Sequence, residues 1–491
     1  MSPSLLRRTP PLRGISEIRS FFRTNETPVY FVSATAFNLL GIDRWVRNFR
    51  FLNYFDSFDG THPNVLVPTE RTTEAFTSIE EICNYLLGNR EIVDEVRRRG
   101  PGKACFLMFD AETEQLAAEA GLQVAFPPAS LRHRLDSKIE TTRLGDEAGV
   151  PSVPNVMGRA VAYADLLSLS TEAGLGADLV VQTPYGDSGQ TTFFIAKEQD
   201  WKRHAKKIVG HDIKVMRRIE PRECAIEGVI TRHGTLVGPL MAELTGFPEL
   251  TPYDGGWCGN DVSAEVLTER QRDLARQRTF AMGERLRREG YRGYFELDFL
   301  ADAETGELWL GELNPRVTGA SSITNVNAVG YGDMPLFLFH LLEFMDVDYE
   351  LDVDELNARW SSPANIDTWT QFILKQTDDA VELITEAPAS GIWQAGADGH
   401  LAYARRDTDW HTVADESEAF YLRIAAAGQY RYPGADLGIL VTRGSFLDVD
   451  HELGDRARTW ISGIKDRFRS EALPAEETPA LTPEPFGFKM L

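Results

Sequence analysis

Two alternating apolar–acidic segments, separated by one short turn, constrain this chain more than anything else in it. In Tyr294-Phe-Glu-Leu-Asp-Phe-Leu300 the period is two. It places Phe295, Leu297 and Phe299 on one face of a strand, and Glu296 and Asp298 on the other. The next run, 308–314, gives Glu312 and Asn314 a shared face and leads into Pro315-Arg-Val-Thr-Gly-Ala-Ser-Ser322. Two such strands side by side collect carboxylates and an amide oxygen on one surface, with Arg316 just beyond. A lone carboxylate would read as a solvated strand face. Glu296, Asp298 and Glu312 with an Asn and an Arg, at matched alternation beside apolar partners, read as a site. Hard oxygen ligands beside a guanidinium suit a Mg²⁺–polyphosphate complex, since carboxylates hold the metal and arginine steadies the phosphate.

A chain of 491 residues exceeds a single core, so more than one domain is expected. The apolar fraction of 43% is that of a soluble globular protein. A net charge of −23 argues against nucleic acid as a partner, which needs a basic footprint. It leaves room for an anionic substrate in a locally basic pocket. Cys83, Cys105, Cys224 and Cys258 are widely spaced and form no CxxC, which disfavours a zinc site or a disulfide framework and fits a reducing cytoplasmic setting. No apolar run reaches the ~18–20 residues of a membrane span, so no membrane partner is expected. Arg7-Arg8 is followed by Thr-Pro-Pro rather than an apolar signal core.

Residues 28 to 135 alternate strand and helix signals: apolar runs at 29–32 and 104–109, a helical segment at 111–120 stopped by Gly121, then Leu122-Gln-Val-Ala125. This βαβ pattern predicts a doubly wound, Rossmann-like N-terminal domain. Gly41 and Gly60 make no GxGxxG, so no nucleotide is assigned to it. A helix is predicted to begin near Ser137-Lys138 and to end before Gly149-Val-Pro151. Leu179-Val-Val-Gln182, a glycine-bearing turn and Phe193-Phe-Ile195 predict a hairpin. Thr268 with Gln271 makes a capping-box start for a long helix, along which Leu267, Leu274 and Ala281 recur until Gly290 stops it. From about 345 short elements alternate to roughly 469. The Pro- and Glu-rich segment 470–491 is expected to be a mobile tail.

Taken in order, these pieces resemble the ATP-grasp superfamily, in its branch shaped like biotin carboxylase. The resemblance covers residues 100 to 330; the last third is only compatible with it. Lys138, in Asp136-Ser-Lys138, looks like the lysine that opens the ATP-grasp unit and meets the α- and β-phosphates. Gly186, Ser188, Gly189 and Thr191 look like the flexible glycine loop that closes over the phosphates. The segment 215–219, with Met216, Arg217 and Ile219, looks like the hinge strand that reads adenine. Glu312 and Asn314 look like shared magnesium ligands. Asp298, or Glu296 beside it, looks like the second carboxylate. Arg316 looks like the basic residue of the Glu-x-Asn-x-Arg signature. The resemblance implies an α/β and α+β multidomain architecture: an N-terminal domain at 1–135, an ATP-grasp domain at 136–345 with its glycine-loop subdomain at about 150–220, and a smaller C-terminal α+β domain at 346–469.

Two departures shape the functional reading. The family usually carries a second lysine just before the glycine loop, where this chain has Gln182. A neutral amide can hydrogen-bond a phosphate without neutralising it, so another cation takes over or nucleotide affinity is modest. The basic residues Arg217-Arg218 and 202–207 read by default as a solvated face, with Arg217 or Lys214 as the candidate substitutes. Secondly, biotin carboxylases continue past the signature arginine with a Val-Glu-His run holding the bicarbonate base. Here the run is Thr318-Gly-Ala-Ser-Ser322, and no biotin-carrier lysine motif is present.

Gly186-Asp-Ser-Gly189 also looks like the Gly-Asp-Ser-Gly-Gly of trypsin-like proteases. The fifth residue is Gln190, however, and no His–Asp partners stand in that context. As a phosphate loop it is sensible, since turn N–H groups point at anions. It lacks the Lys-Ser/Thr ending of a P-loop. The bland alternative is a plain hairpin turn. The histidines show no zinc spacing, and His340 in an apolar helix reads as a core residue. The glycine–aromatic segment 251–261 could shape an acceptor pocket. The expected function is an ATP- and Mg²⁺-dependent carboxylate–amine ligase, giving ADP and phosphate through an acyl phosphate. Its partners would be a small carboxylate and an amine, with a homodimer possible. The rivals are a carboxylase and a nucleotide-binding protein without turnover.

Overall fold

Val29–Ser33 is apolar on both faces and wholly buried, the signature of a central strand in a parallel sheet. It pairs in parallel with Phe49–Asn53 and Gly102–Phe106, and Val65–Leu66 and Leu122–Val124 complete five strands. Helix Ala111–Glu119 opens with a capping box between Asp110 and Thr113. This computed structural model describes residues 10–69, 76–186, 191–253, 255–330, 333–448 and 451–473. Among them, no helix is long and apolar enough to cross a membrane. All four cysteines are buried, and none is in a disulfide.

Residues 155–217 form a small antiparallel sheet in the order Asn155–Gly158, Ile213–Arg217, Leu179–Gln182, Thr192–Ile195. Its two faces differ. Leu179, Val181, Phe193, Ile195, Ile213 and Val215 pack with Leu166, Trp201 and Ile208 of the covering helices. The opposite face presents Val180 and Met216 to Val153, Leu300 and Trp309. The sheet therefore has a core of its own and turns its second side to the larger sheet.

That larger sheet has ten strands, all antiparallel. It begins with the two acidic strands, Leu308–Asn314 and Gly293–Asp302, and continues through Pro221–Thr231, Gly234–Thr245 and Trp257–Val262. There it does not stop. Trp257–Val262 pairs with Trp369–Lys375, and the sheet runs on through Asp436–Arg443, Glu418–Arg423, Gly391–Ala395 and Leu401–Arg405. Strands from the 346–469 segment thus cover what would otherwise be an open edge. The N-terminal layer is tied to both parts. Asn38 Nδ2 donates to Thr318 O at 2.8 Å, and the Arg423 guanidinium pairs with Asp59.

Helix Glu269–Arg288 starts at Thr268, whose hydroxyl and the Gln271 side chain cap one another's backbone N–H groups. Its buried stripe is Ala275, Thr279, Met282, Gly283 and Leu286; Leu267, Leu274 and Ala281 lie at the edge, partly buried. The stripe lies one position beyond the residues that recur in the sequence, because small residues let the helix settle closely on the sheet. At Gly283 a Cβ would stand 2.4 Å from Thr235 Cγ2 and 2.5 Å from Thr235 Oγ1. Thr235 is fully buried and bonded to Glu284, so it has nowhere to turn. Gly283→Ala gains roughly 1 kcal/mol in helix propensity. Overpacking costs about 1–3 kcal/mol and is expected to prevail, lowering the melting temperature; a rise in that temperature would show that the contact yields.

Candidate active site

The register of the acidic strands settles which side chains meet. Glu296 stands opposite Asn314, and Asp298 opposite Glu312. Leu308 and Leu310 point into the core, and one further residue of regular alternation would send Glu312 after them. The register shifts here, with Phe299 opposite Leu310 and Asp298 opposite Glu312, so Gly311 is the extra residue of a bulge. The bulge changes the phase. Leu313 returns to the core with Leu297, while Glu312 and Asn314 join Glu296 and Asp298 on the other face.

Hydrogen bonds knit this face together. Asn314 Nδ2 donates to Glu296 Oε2 at 3.2 Å and to Asp298 Oδ2 at 3.3 Å, and Arg316 Nη2 donates to Asn314 Oδ1 at 2.9 Å. Asp298 Oδ1 is buried with no partner among the described residues. Burial, then the neighbouring Glu312 carboxylate, pushes the Asp298 carboxyl up to about 8, against the pull of Arg316. Burial and then Asp298 hold Glu296 well above the usual carboxylate range. A hard-oxygen donor set with an orphaned carboxylate oxygen and protons retained for want of positive charge fits a divalent cation.

Lys138 enters from helix Lys138–Ala148, whose first turn is capped by Ser137. It is 4% exposed, and its Nζ donates to Glu312 Oε1 at 2.5 Å and to Gly186 O at 2.9 Å. One ammonium thus joins the acidic strand to the start of the glycine loop. Gly186 has a φ of 141°, and a Cβ there would lie 2.1 Å from Thr191 Cγ2. The turn needs glycine on both counts. Thr191 Oγ1 faces Gly186 O at 3.4 Å, and Gln182 pairs with Thr192 across the hairpin. Ser188 and Gly189 lie outside the described residues.

Beside this polar end is an apolar one. Val153, Val180 and Met216 cluster, with Ile219, Leu300 and Trp309 packed against them. Arg217 falls on the other alternation. Its side chain is 44% exposed and 3.9 Å from Asp302, so it is set apart from Lys138 and Glu312. Gln182 is half-buried. Its Nε2 donates to Thr192 Oγ1 at 3.1 Å, while its Oε1 is buried without a partner among the described residues.

Sequence reasoning missed three carboxylates on the same sheet face. Glu223 is in register with Leu300, and Glu227 with Glu296. Glu243 is in register with Asn260. Burial, then Asp298, Glu223, Glu296 and Glu312, raise the Glu243 carboxyl well above its usual range. Glu227 is fully buried and accepts from Tyr294 Oη and Ser321 Oγ, both at 2.6 Å, and from Thr318 Oγ1 at 3.2 Å. Acids at alternate positions of otherwise apolar strands were the available signal. Ser321 and Ser322 are committed to the interior: Ser322 Oγ donates to Gln371 Oε1 at 2.5 Å. Trp257, of the glycine–aromatic segment, does reach this turn, since a Cβ on Gly319 would meet its ring at 2.3 Å. His340 is a core residue, accepting from Tyr294 N at 3.0 Å and held down to about 3 by burial.

The chain shares its fold with solved biotin carboxylases and carboxyaminoimidazole ribonucleotide synthases. Biotin carboxylase from Campylobacter jejuni superposes with a TM-score of 0.60 at 13% identity, over 90% of this chain and 92% of that one. The biotin carboxylase domain dimer of Hydrogenobacter thermophilus 2-oxoglutarate carboxylase, solved with MgADP, ADP and bicarbonate, gives 0.56 at 13% identity over 91% of each chain. Carboxyaminoimidazole ribonucleotide synthase from Aspergillus clavatus, complexed with ATP, gives 0.53 at 12% identity over 90% of this chain and 98% of that one. Among curated proteins, the mitochondrial methylcrotonoyl-CoA carboxylase subunit alpha of Dictyostelium discoideum is 26% identical over 168 residues, which is 31% of this chain and 24% of that protein. The chain therefore matches about a quarter of that relative's length. No family model matches the chain.

The raised carboxyls make stability depend on pH with a definite sign. A group whose folded pKa lies above its unfolded one stabilises the fold at low pH, and that stability is lost as pH rises through the folded value. For Asp298 the loss runs from the ordinary carboxylate range up to about 8. The metal-free melting temperature is expected to fall between about pH 5 and about pH 8, and Asp298→Asn to flatten the fall. An unchanged slope in that variant would place the charge crowding elsewhere.

Proposed function

We propose that this chain is an ATP-dependent, ADP-forming ligase that joins a carboxylate to an amine through an acyl phosphate. The observation that carries the reading is the Lys138–Glu312 contact. It lies between the Asn314–Arg316 bond and the Gly186 carbonyl, so cation, acidic strand and glycine loop converge on one point. Glu312, Asn314 and Asp298, with Glu296 beside them, would hold Mg²⁺, which supplies charge neutralisation for the triphosphate. Met216 and Ile219, with Val180, would form the apolar slot for adenine. Gly186, Ser188, Gly189 and Thr191 would form the lid that keeps water from the intermediate. Lys138 and Arg316 would steady the phosphates.

The chemistry needs no nucleophile from the protein. A substrate carboxylate oxygen attacks the γ-phosphorus and ADP leaves. The amine nitrogen then attacks the acyl carbon, the C–O bond to phosphate breaks, and the nitrogen gives up a proton. Side chains serve by positioning two anions and offsetting their charge. Glu223 and Glu243, whose carboxyls burial raises, would ionise beside an ammonium and not beside an anion, which favours an amine as the second substrate. In this arrangement residues 136–345 carry the nucleotide, with 1–135 and 346–469 packed around them, in a cytoplasmic enzyme.

The test is an ADP-release screen against pairs of carboxylic acids and amines, with products identified by mass spectrometry. ADP and phosphate are expected only when both substrates are present. Glu312→Gln, which keeps the shape of the side chain, is expected to lower turnover by more than about 100-fold with the fold intact. Full activity in that variant would end the assignment. ADP release driven by bicarbonate would make the protein a carboxylase, and ATP binding without turnover on any pair a non-catalytic nucleotide binder.

A further inference from the structure

The described residues include four buried lysines: Lys103, Lys138, Lys214 and Lys375. Three have partners built into the fold. Lys103 donates to Gln123 and approaches Asp346, Lys138 pairs with Glu312, and Lys375 pairs with Asp436. Lys214 differs. It is 1% exposed, yet among the described residues its ammonium donates no hydrogen bond and has no carboxylate within ion-pair distance. Asp146 and Glu312 attract it from further off, Lys138 repels it, and burial holds its pKa down to about 8. A buried charge without a counter-charge is costly, and a fold keeps one where something else supplies the opposite charge.

Its place in the sheet says what that is. Lys214 stands directly opposite Gln182 on the neighbouring strand, as Met216 stands opposite Val180. Residues paired in this way leave the same face of a sheet. That face is the one whose Val180 and Met216 meet Leu300 and Trp309. Lys214 therefore sits at the polar end of the same slot, beside Gln182 with its unpartnered buried oxygen and within electrostatic reach of Lys138 and Glu312. Arg217, the other candidate cation in this strand, is exposed on the opposite alternation.

We propose that Lys214 is a phosphate-binding residue of the nucleotide site, supplying from the Ile213–Arg217 strand the positive charge that the neutral Gln182 does not supply from its own. The ligand it takes is the polyphosphate of a nucleoside di- or triphosphate, so the inference rests on the nucleotide-binding part of the proposed function. It goes beyond that reading by moving the second cation across one strand.

The test is calorimetric and needs no turnover. Binding of ATP, ADP and adenosine is measured on the full chain for wild type, Lys214→Met, and the transposed double variant Gln182→Lys with Lys214→Gln. Lys214→Met is expected to weaken ATP and ADP by roughly 10- to 100-fold, to leave adenosine unchanged, and to keep or raise the ligand-free melting temperature. The transposed variant is expected to recover ATP affinity to within about threefold of wild type. A structural lysine would not be rescued by moving its charge. Unchanged ATP binding in Lys214→Met overturns the proposal, as does equal weakening of adenosine. If Lys214→Met does not fold, the transposed variant decides alone: failure to bind ATP while folded overturns it. Wild type that binds no nucleotide defeats the proposed function itself. Wild type that binds ATP, and loses it in Lys138→Ala but not in Lys214→Met, defeats only this inference.

Discussion

Mutual repulsion among carboxylates is the force this structure has to contain. Glu296, Asp298 and Glu312 occupy neighbouring places on two strands, with Glu223, Glu227 and Glu243 on the strands beside them. Left alone, such a face would hold its protons or pull apart. Restraint comes from the backbone first. The antiparallel register fixes the pairs, and Leu297, Phe299, Leu310 and Leu313 anchor the strands from beneath. It comes next from donors. Asn314 bridges two of the acids, Arg316 holds Asn314, and Lys138 arrives from a separate helix to take the third. The small sheet, the N-terminal layer and the long helix can all be seen as supports for that face.

The parts legible in the sequence were those where local pattern and tertiary demand coincide. Alternation put Glu296 with Asp298 on one strand face and Glu312 with Asn314 on another, although only the bulge brings the two pairs together, and the Thr268–Gln271 capping box gave the start of the long helix. The Leu179–Gln182 and Thr192–Ile195 hairpin announced itself through its glycine turn. What escaped depends on partners distant in the chain. Nothing local to Trp257–Val262 says that its free edge is taken by Trp369–Lys375, over a hundred residues later. Ser321 and Ser322 turn inward to acceptors, Glu227 and Gln371, that come from other strands, and no local pattern announces them. The bulge at Gly311 was hidden for a related reason: counting residues along one strand cannot reveal an extra one that only the neighbouring strand's register exposes.

Gln182 illustrates how a departure from a familiar pattern should be weighed. Along the chain it is a missing charge. In the sheet it is one half of a cross-strand pair whose other half is a buried lysine. A strand pair offers two backbones from which one side-chain position can be approached, so charge can pass between neighbours without leaving the pocket. Register is what separates Lys214 from Arg217, which the sequence left as equal candidates.

The double attachment of Lys138, to Glu312 and to the Gly186 carbonyl, has a consequence for binding. On the proposed function the same ammonium would meet an acidic strand, a loop and a phosphate: two of its three N–H donors are already given, and one is left for the nucleotide. A polyphosphate arriving there would share with Glu312 the one positive charge that now offsets the carboxylate, and a metal would make up the difference. Metal and nucleotide would then favour one another, each bringing the charge that the other lacks.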